Sequence, residues 1–223
     1  MPLALFDLDN TLIAGDSDYA WGQFLVAVGK VDGAAYARAN QQFFRDYQAG
    51  KLDIAEYLRF ALAPLARLEP QELAALHSQF MREVISAMWL PRAEALLTRH
   101  RAAGDELLII TSTNRFVAEP ICRQLGVEAV IATEPEVRDG RYTGAVVGRP
   151  SFGEGKVVRL QQWLSARGEP SDNSLSGSFF YSDSINDLPL LLAVDNPVAV
   201  DPDAALRAIA AGKGWPIISL RDT

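Results

Sequence analysis

The residues best suited to chemistry stand near the start of the chain. Leu5-Phe6-Asp7-Leu8-Asp9-Asn10-Thr11-Leu12 is an apolar run ending in two carboxylates, Asp7 and Asp9, separated by one residue. If Leu3 to Asp7 is a buried strand, Asp7 lies at its carboxyl end, where open parallel α/β sheets bind ligands. Residues two apart share a face of a strand, and a bend just after Asp7 would hold both acids at one site beyond its end. One carboxylate could then attack a substrate while the other handles protons, with a divalent cation screening their repulsion. A short strand followed by an Asp/Asn turn is the other reading of these residues.

Three later segments bear on that choice. Glu106-Leu107-Leu108-Ile109-Ile110-Thr111-Ser112-Thr113-Asn114 is strand-like and ends in hydroxyls, with a helical stretch from about Arg115. A hydroxyl and successive backbone N–H groups at such a junction make an anion site, although Ser112, Thr113 or Asn114 could equally cap the helix. In Phe152-Gly153-Glu154-Gly155-Lys156 a glycine-flanked lysine begins a helix. Placed there, its compact charge can neutralise a phosphate and a nucleophilic aspartate together. Finally, Ser178-Phe179-Phe180-Tyr181-Ser182-Asp183-Ser184-Ile185-Asn186-Asp187 is an apolar strand ending in acids. An Asp, an Asn and a second Asp within five residues exceed what one helix cap needs.

In this order the four segments resemble the haloacid dehalogenase-like (HAD) phosphohydrolases, subfamily IB. Asp7, Asp9 and Thr11 match the family's Asp-x-Asp-x-Thr, Thr111 its second-motif hydroxyl, Lys156 its lysine, and Asp183 with Asp187 its Asp-x-x-x-Asp. The resemblance covers the chain from Leu3 to about Ile218. It implies Asp7 as a nucleophile that forms an aspartyl-phosphate. Asp9 is implied as the acid that protonates the leaving alkoxide and then takes a proton from water. It also implies Mg2+ held by Asp7, the Asp9 carbonyl and Asp183, with Asp187 and Asn186 in or near its surroundings. Thr111, Ser112 and Lys156 are implied to bind the phosphoryl oxygens.

The chain departs from the family pattern in two places. The phosphoserine-phosphatase branch has Ser-Gly-Gly where this chain has Thr111-Ser112-Thr113, which leaves less room beside the phosphate. Ser182 stands where Gly often precedes the fourth-motif Asp. Neither change removes a functional group. Asp16 falls where that branch senses a substrate amine, and an Asp there would favour a cationic group. It could also simply cap the next helix. Arg45, Arg59 and Arg115 are candidates for a substrate carboxylate, and each could equally form a surface ion pair. Trp21, Phe44 and Tyr47 fit either core packing or a pocket wall. Asn114-Arg115-Phe116-Val117 further resembles a bacterial subgroup linked to phosphoserine or histidinol phosphate. The expected activity is hydrolysis of a small amino-alcohol phosphomonoester. A phosphotransferase and a non-catalytic binding protein on the same scaffold are the alternatives.

The elements that must position these residues follow from periodicity. From Asp16 to Met88 only helical patterns occur: Tyr19 to Val28, Tyr36 to Tyr47, Ile54 to Leu62 and Leu73 to Ile85. Breaks are expected near Gly29–Gly33, Gly50–Asp53 and Ala63–Pro70. The resemblance reads residues 16–88 as an inserted C1-type helical cap, packed as a small bundle over the first strand end, with 1–15 and 89–223 as catalytic core. The remainder alternates. Helices are expected at Pro91–Ala103, Arg115–Leu125, Glu154–Arg167, after Ser182 and at Asp203–Gly212. Strands are expected at Val127–Ile131, up to Ser182, at Val194–Val200 and at Pro216–Ile218. Asp139-Gly140 marks a hairpin. The fold class is therefore α/β, a doubly wound and mostly parallel sheet.

Composition sets further bounds. At 223 residues and 49% hydrophobic, the chain can bury one sizeable core and add a small second domain. A net charge of −7 and a pI near 4.9 argue against nucleic acid or an acidic membrane as partner. Cys122 is the only cysteine, so no internal disulfide is possible. No apolar run is long enough to span a bilayer and no leader pattern is visible, so a cytoplasmic location is expected. The expected partner is the small substrate, and oligomeric state is left open.

Overall fold

The computed structural model describes residues 2–168 and 175–221. β1 (Leu3–Phe6) is the centre of a seven-stranded sheet. It pairs in parallel with β2 (Glu106–Asn114) on one side and β5 (Phe179–Ser182) on the other. β3 (Val130–Arg138) extends the sheet beyond β2, while β6 (Asn196–Val200) and the short β7 (Ile217–Ile218) extend it beyond β5. All these pairings are parallel. β4 (Arg141–Val147) runs antiparallel to β3 at the edge, through a turn where Asp139 and Gly140 both have positive φ. Two such residues in sequence give the twist a tight hairpin needs.

Alternation along the central strands splits the core into two layers. Leu3, Leu5, Leu108, Ile110 and Phe180 face one way, onto α7 (Glu154–Ala166), α8 (Leu188–Leu191) and α9 (Ala204–Lys213). Ala4, Phe6, Ile109 and Tyr181 face the other way, onto α5 (Pro91–Ala103) and α6 (Arg115–Gln124). Helices on both faces of a mostly parallel sheet make this a doubly wound α/β fold. Proline opens α5 and Gly104 closes it in the left-handed conformation, the expected asymmetry of helix ends.

The segment between β1 and β2 leaves and returns by adjacent backbones. Ile13 bridges Trp89, and the Ala14 N–H donates to the Met88 carbonyl. It carries α1 (Ser17–Ala27), α2 (Gly33–Gln48), α3 (Ile54–Arg67), α4 (Pro70–Glu83) and a short 3-10 turn, Ile85–Met88. These helices do not form a separate bundle. Trp21, Phe24, Leu73, Leu76 and Phe80 of α1 and α4 join the same core layer as Phe6 and Ile109. α2 stacks on α1 through Phe44 and Tyr19, and on α3 through Phe60 with Tyr36 and Phe43. Trp21 is thus a core residue, ringed by Phe24, His77, Phe80 and Phe116.

Two expected boundaries move. α3 does not break at Ala63 but continues through Pro64 to Arg67, because Leu58, Ala61, Leu62 and Leu65 keep one face buried over that length. Burial of that stripe outweighs the hydrogen bond a mid-helix proline removes. β3 begins at Val130, not Val127, because the Val127 N–H still closes the end of α6 on the Cys122 carbonyl. It then runs on to Arg138 as the first arm of the hairpin. Cys122 is fully buried, and loss of solvation pushes its thiol above the ordinary range. Among the described residues no helix is long and apolar enough to cross a membrane.

Candidate active site

Asp7 follows β1 directly, and its N–H continues the parallel ladder by donating to the Tyr181 carbonyl at 2.9 Å. The chain then turns sharply. The Thr11, Leu12 and Ile13 N–H groups all point at the Leu8 carbonyl, and Asn10 takes a positive φ of 56°. Asn tolerates that left-handed conformation better than most residues. This turn ends the strand directly after Asp7 and keeps Asp9 beside it. Both line a single cavity at the carboxyl end of the sheet.

Lys156 is the electrostatic centre of the floor. It is 2% exposed, and its Nζ donates to Asp7 Oδ1 and to Asp187 Oδ2, each at 2.7 Å. Burial works to lower its proton affinity, but Asp187 and Asp7 outweigh that and hold it above the ordinary lysine value. Its placement depends on two glycines. Gly153, before α7, adopts φ 54° and ψ −126°, a conformation open to little but glycine. At Gly155 a Cβ would lie 2.1 Å from the Pro150 carbonyl oxygen. The glycines flanking the helix start therefore let the loop fold tightly enough to bury the lysine.

The fourth segment is tied to the first by Thr11. Its hydroxyl donates to Asp183 Oδ1 at 3.2 Å and accepts the Asp183 N–H at 3.1 Å. Ser182 Oγ donates to Asp187 Oδ2 at 2.7 Å. Asp203 secures the same loop, accepting the Ile185 N–H at 2.7 Å while also capping α9.

Asp9 is held from both sides. Oδ1 accepts the Ser17 N–H at 2.6 Å, and Oδ2 accepts the Thr113 hydroxyl at 2.6 Å. Thr111 Oγ1 lies 3.5 Å from the same Oδ2 and accepts the Thr113 N–H. The first turn of the inserted segment and the end of β2 thus orient one carboxylate. Ser112 lines the cavity beside Thr113, whereas Thr111 is fully buried behind them.

The remaining expectations separate clearly. Asp16 caps α1, accepting the Tyr19 N–H at 2.8 Å, and also lines the cavity, so its two readings coexist. Phe44 and Tyr47 are wall residues. Arg45 and Arg115 are not brought to the site. Arg45 is exposed on α2 and is not among the cavity walls. Arg115 spends its guanidinium on a two-pronged contact with Glu134 (2.7 and 2.8 Å) and on the Val130 carbonyl, fastening α6 to β3. Arg59 is likewise exposed.

Sequence reasoning passed over Thr113 and Asp18 as site residues. Asp18 is buried in the first turn of α1, lines the cavity, and accepts the Asn114 side-chain N–H at 2.9 Å. The available signal was two acids, Asp16 and Asp18, at the start of a helix whose next turn is apolar.

The acids here outnumber the one lysine, and their proton affinities show it. Burial, opposed by Lys156 and reinforced by Asp187 and Asp9, pushes Asp7 up to about 7. Burial and then the charges of Asp7 and Asp187 hold Asp183 well above the ordinary carboxylate range. Such surplus negative charge suits a hard divalent cation bound by oxygens. Among the described residues no three His, Cys, Asp or Glu side chains converge as a metal cluster. Asp187, expected beside the metal, instead gives Oδ2 to Lys156 and Ser182. The side chains of Asp9 are likewise engaged by Ser17 and Thr113. The set that the family resemblance implies, Asp7 and Asp183 with the Asp9 carbonyl and water, would make a partly hydrated oxygen site of the kind Mg2+ favours.

Residues 4–192 match the model of the haloacid dehalogenase-like hydrolases. A histidinol-phosphatase of Neisseria meningitidis is 51% identical over 98% of this chain and 99% of its own length. A phosphoserine phosphatase of Mycobacterium tuberculosis is 34% identical over 98% of this chain and 70% of its own. Among solved structures, a Bordetella pertussis protein of unknown function superposes with a TM-score of 0.91 at 48% identity, covering 99% of both chains. A substrate-bound phosphoserine phosphatase superposes at 0.70 with 17% identity over 99% of this chain and 93% of that one, a likeness of fold. The chain belongs to the haloacid dehalogenase-like hydrolases, and within them it is a phosphatase.

Proposed function

We propose that the protein hydrolyses a small phosphomonoester bearing an amine, of the histidinol-phosphate type, with Mg2+ and through an aspartyl-phosphate on Asp7. The observation that carries this reading is the Lys156 bridge. It fixes Asp7 at the cavity floor, while Ser17 and Thr113 fix Asp9 on the same wall.

In the first half-reaction an Asp7 oxygen attacks phosphorus and the bond to the ester oxygen breaks. Asp9 gives its proton to the departing alkoxide, so the product leaves as a neutral alcohol. In the second, water attacks the phosphorus of the aspartyl-phosphate, Asp9 takes a proton from it, and Asp7 is released with inorganic phosphate. Lys156, already oriented by Asp187, offsets charge on the phosphoryl oxygens. The Ser112 N–H and Thr111, at the end of β2, are the other expected contacts for those oxygens. A Mg2+ held by Asp7, Asp183 and the Asp9 carbonyl would neutralise the phosphoryl charge that otherwise repels Asp7.

The substrate class follows from the cavity and from the relatives. The cavity is walled by acids and aromatic side chains, a lining suited to a small cationic molecule. Asp16 on its wall favours an amine, and the 51% identical relative is named for histidinol phosphate. Residues 16–88 would serve as the cap that supplies most of these walls.

The test is phosphate release from histidinol phosphate, phosphoserine, phosphoethanolamine, glycerol phosphate and sugar phosphates, with and without Mg2+. A Mg2+-dependent preference for an amine-bearing ester supports the reading. New phosphoesters appearing faster than free phosphate when acceptor alcohols are added would make the protein a phosphotransferase. No turnover of any ester would leave only a binding role.

A further inference from the structure

We propose that Asp18 is a specificity-determining residue that binds a second basic nitrogen of the substrate, so that the cavity selects phosphomonoesters with two basic nitrogens over those carrying a carboxylate. This inference rests on the reading of an amine-bearing phosphomonoester given above, and narrows it.

Asp18 is 8% exposed, on the first turn of α1, and shares the cavity wall with Asp7 and Asp9. Its position is fixed from the catalytic strand. Asn114, the last residue of β2, donates from Nδ2 to Asp18 Oδ1 at 2.9 Å, while its own Oδ1 accepts the Val117 N–H at 3.3 Å. The α6 cap settles which way the amide points, so its NH2 group must face the carboxylate. Asn114 lies three residues beyond Thr111, and Asp18 is therefore held at a set place relative to the phosphoryl site by rigid elements.

A carboxylate at this place is costly without a ligand. Asn114 and the nearby Tyr57 are neutral partners, and Asp9 adds like charge. Burial raises the Asp18 carboxyl to about 7, a direction that a cationic ligand would reverse. The fold does not need the charge: an uncharged side chain could receive the Asn114 amide equally well. The family resemblance gives Asp16 the first amine, and on that reading Asp18 is free for a second nitrogen.

The other walls agree with a flat cation. Phe43, Phe44, Tyr47 and Tyr57 border the same space, and aromatic faces attract cationic groups. No Lys or Arg is among the described walls. A substrate carboxylate would therefore sit among acids with no basic partner in the wall. An amino group plus an imidazole satisfies this cavity, and an amino group plus a carboxylate does not.

The experiment compares wild type and Asp18→Asn on histidinol phosphate (two basic nitrogens), phosphoethanolamine (one) and phosphoserine (an amine and a carboxylate). Wild type should favour histidinol phosphate. In Asp18→Asn, KM for histidinol phosphate should rise at least about tenfold more than KM for phosphoethanolamine, the loss expected for a charge-assisted hydrogen bond, with kcat changing less than KM. Phosphoethanolamine turnover also reports that the variant has folded. A second measurement needs no variant: histidinol should inhibit wild-type hydrolysis of phosphoethanolamine at concentrations where ethanolamine does not. Equal KM losses on both esters, or equal inhibition by histidinol and ethanolamine, would overturn the role of Asp18. Wild type that turns over none of the three esters would instead overturn the functional reading on which it rests.

Discussion

Ser182 donates its hydroxyl hydrogen to Asp187 Oδ2 at 2.7 Å, onto the same oxygen that Lys156 Nζ holds at 2.7 Å. Asp187 therefore works as an anchor that aims the lysine at Asp7, and the serine keeps the anchor from rotating. The Ser184 N–H closes the loop by donating back to Ser182 Oγ at 3.2 Å. A residue that looks like a departure from the family's glycine thus has a definite place in the charge network.

Removing that hydroxyl should be felt locally. Ser182→Ala is expected to cost about 1.5–3 kcal/mol of stability, the scale for a hydrogen bond to a charged group. Because the lysine loses part of its alignment, kcat should fall about tenfold with KM less affected. Urea unfolding and steady-state kinetics check both. An unchanged kcat would show that Asp187 holds its orientation without help.

Lys156→Met should be more damaging. It leaves Asp7 and Asp187 buried without their common partner, and breaking a buried pair from one side costs about 3–5 kcal/mol. Turnover should vanish as well. If the variant unfolds at the same urea concentration as wild type, the bridge has been misread as structural.

Arg115 supplies the opposite expectation. Its guanidinium is committed to Glu134 and the Val130 carbonyl, outside the cavity walls. Arg115→Ala should lower stability by about 1 kcal/mol, a typical value for a partly exposed pair. KM for every phosphomonoester should stay within about twofold of wild type, since no charge-assisted substrate contact is lost. A large KM increase confined to carboxylate-bearing esters would return Arg115 to the site.

The carboxylates also set a pH dependence. In the metal-free protein the folded-state proton affinities of Asp7 and Asp18 are raised from 3.8 to about 7. An acid raised in this way contributes stability that is complete below its unfolded value and is lost as pH climbs through the folded value. Between about pH 4 and pH 7 these groups should therefore make metal-free protein less stable as pH rises. A cation at Asp7 and Asp183 would relieve the repulsion, so added Mg2+ should raise Tm more at pH 8 than at pH 5. Equal Tm gains at the two pH values would contradict this electrostatic account.

What the sequence made legible was local. Asp7, Lys156 and Asp183 each sit where an apolar run meets a turn or a glycine-bracketed helix start, and their order along the chain carries the family resemblance that marks them. Thr113 and Ser182 were opaque because their partners, Asp9 and Asp187, become partners only once strand register and turn geometry are set. The choice between the two readings of Arg115 was not legible because Glu134 belongs to a length of β3 that the pattern ended at Ile131. Asp18 was hidden for another reason. An acid in a first helical turn is favoured by the helix dipole anyway, so its pairing with Asp16 was the one hint that it is more than a surface charge.

The central claim is that Asp7 takes up the phosphoryl group. Wild-type protein mixed with Mg2+ and histidinol phosphate, quenched in acid within the first turnover and mapped by peptide mass spectrometry, tests it most directly. The account predicts the added mass of one phosphoryl group on the peptide containing Asp7, and its absence in Asp7→Asn. A phosphoryl group on a different residue, or turnover persisting in Asp7→Asn, would contradict it.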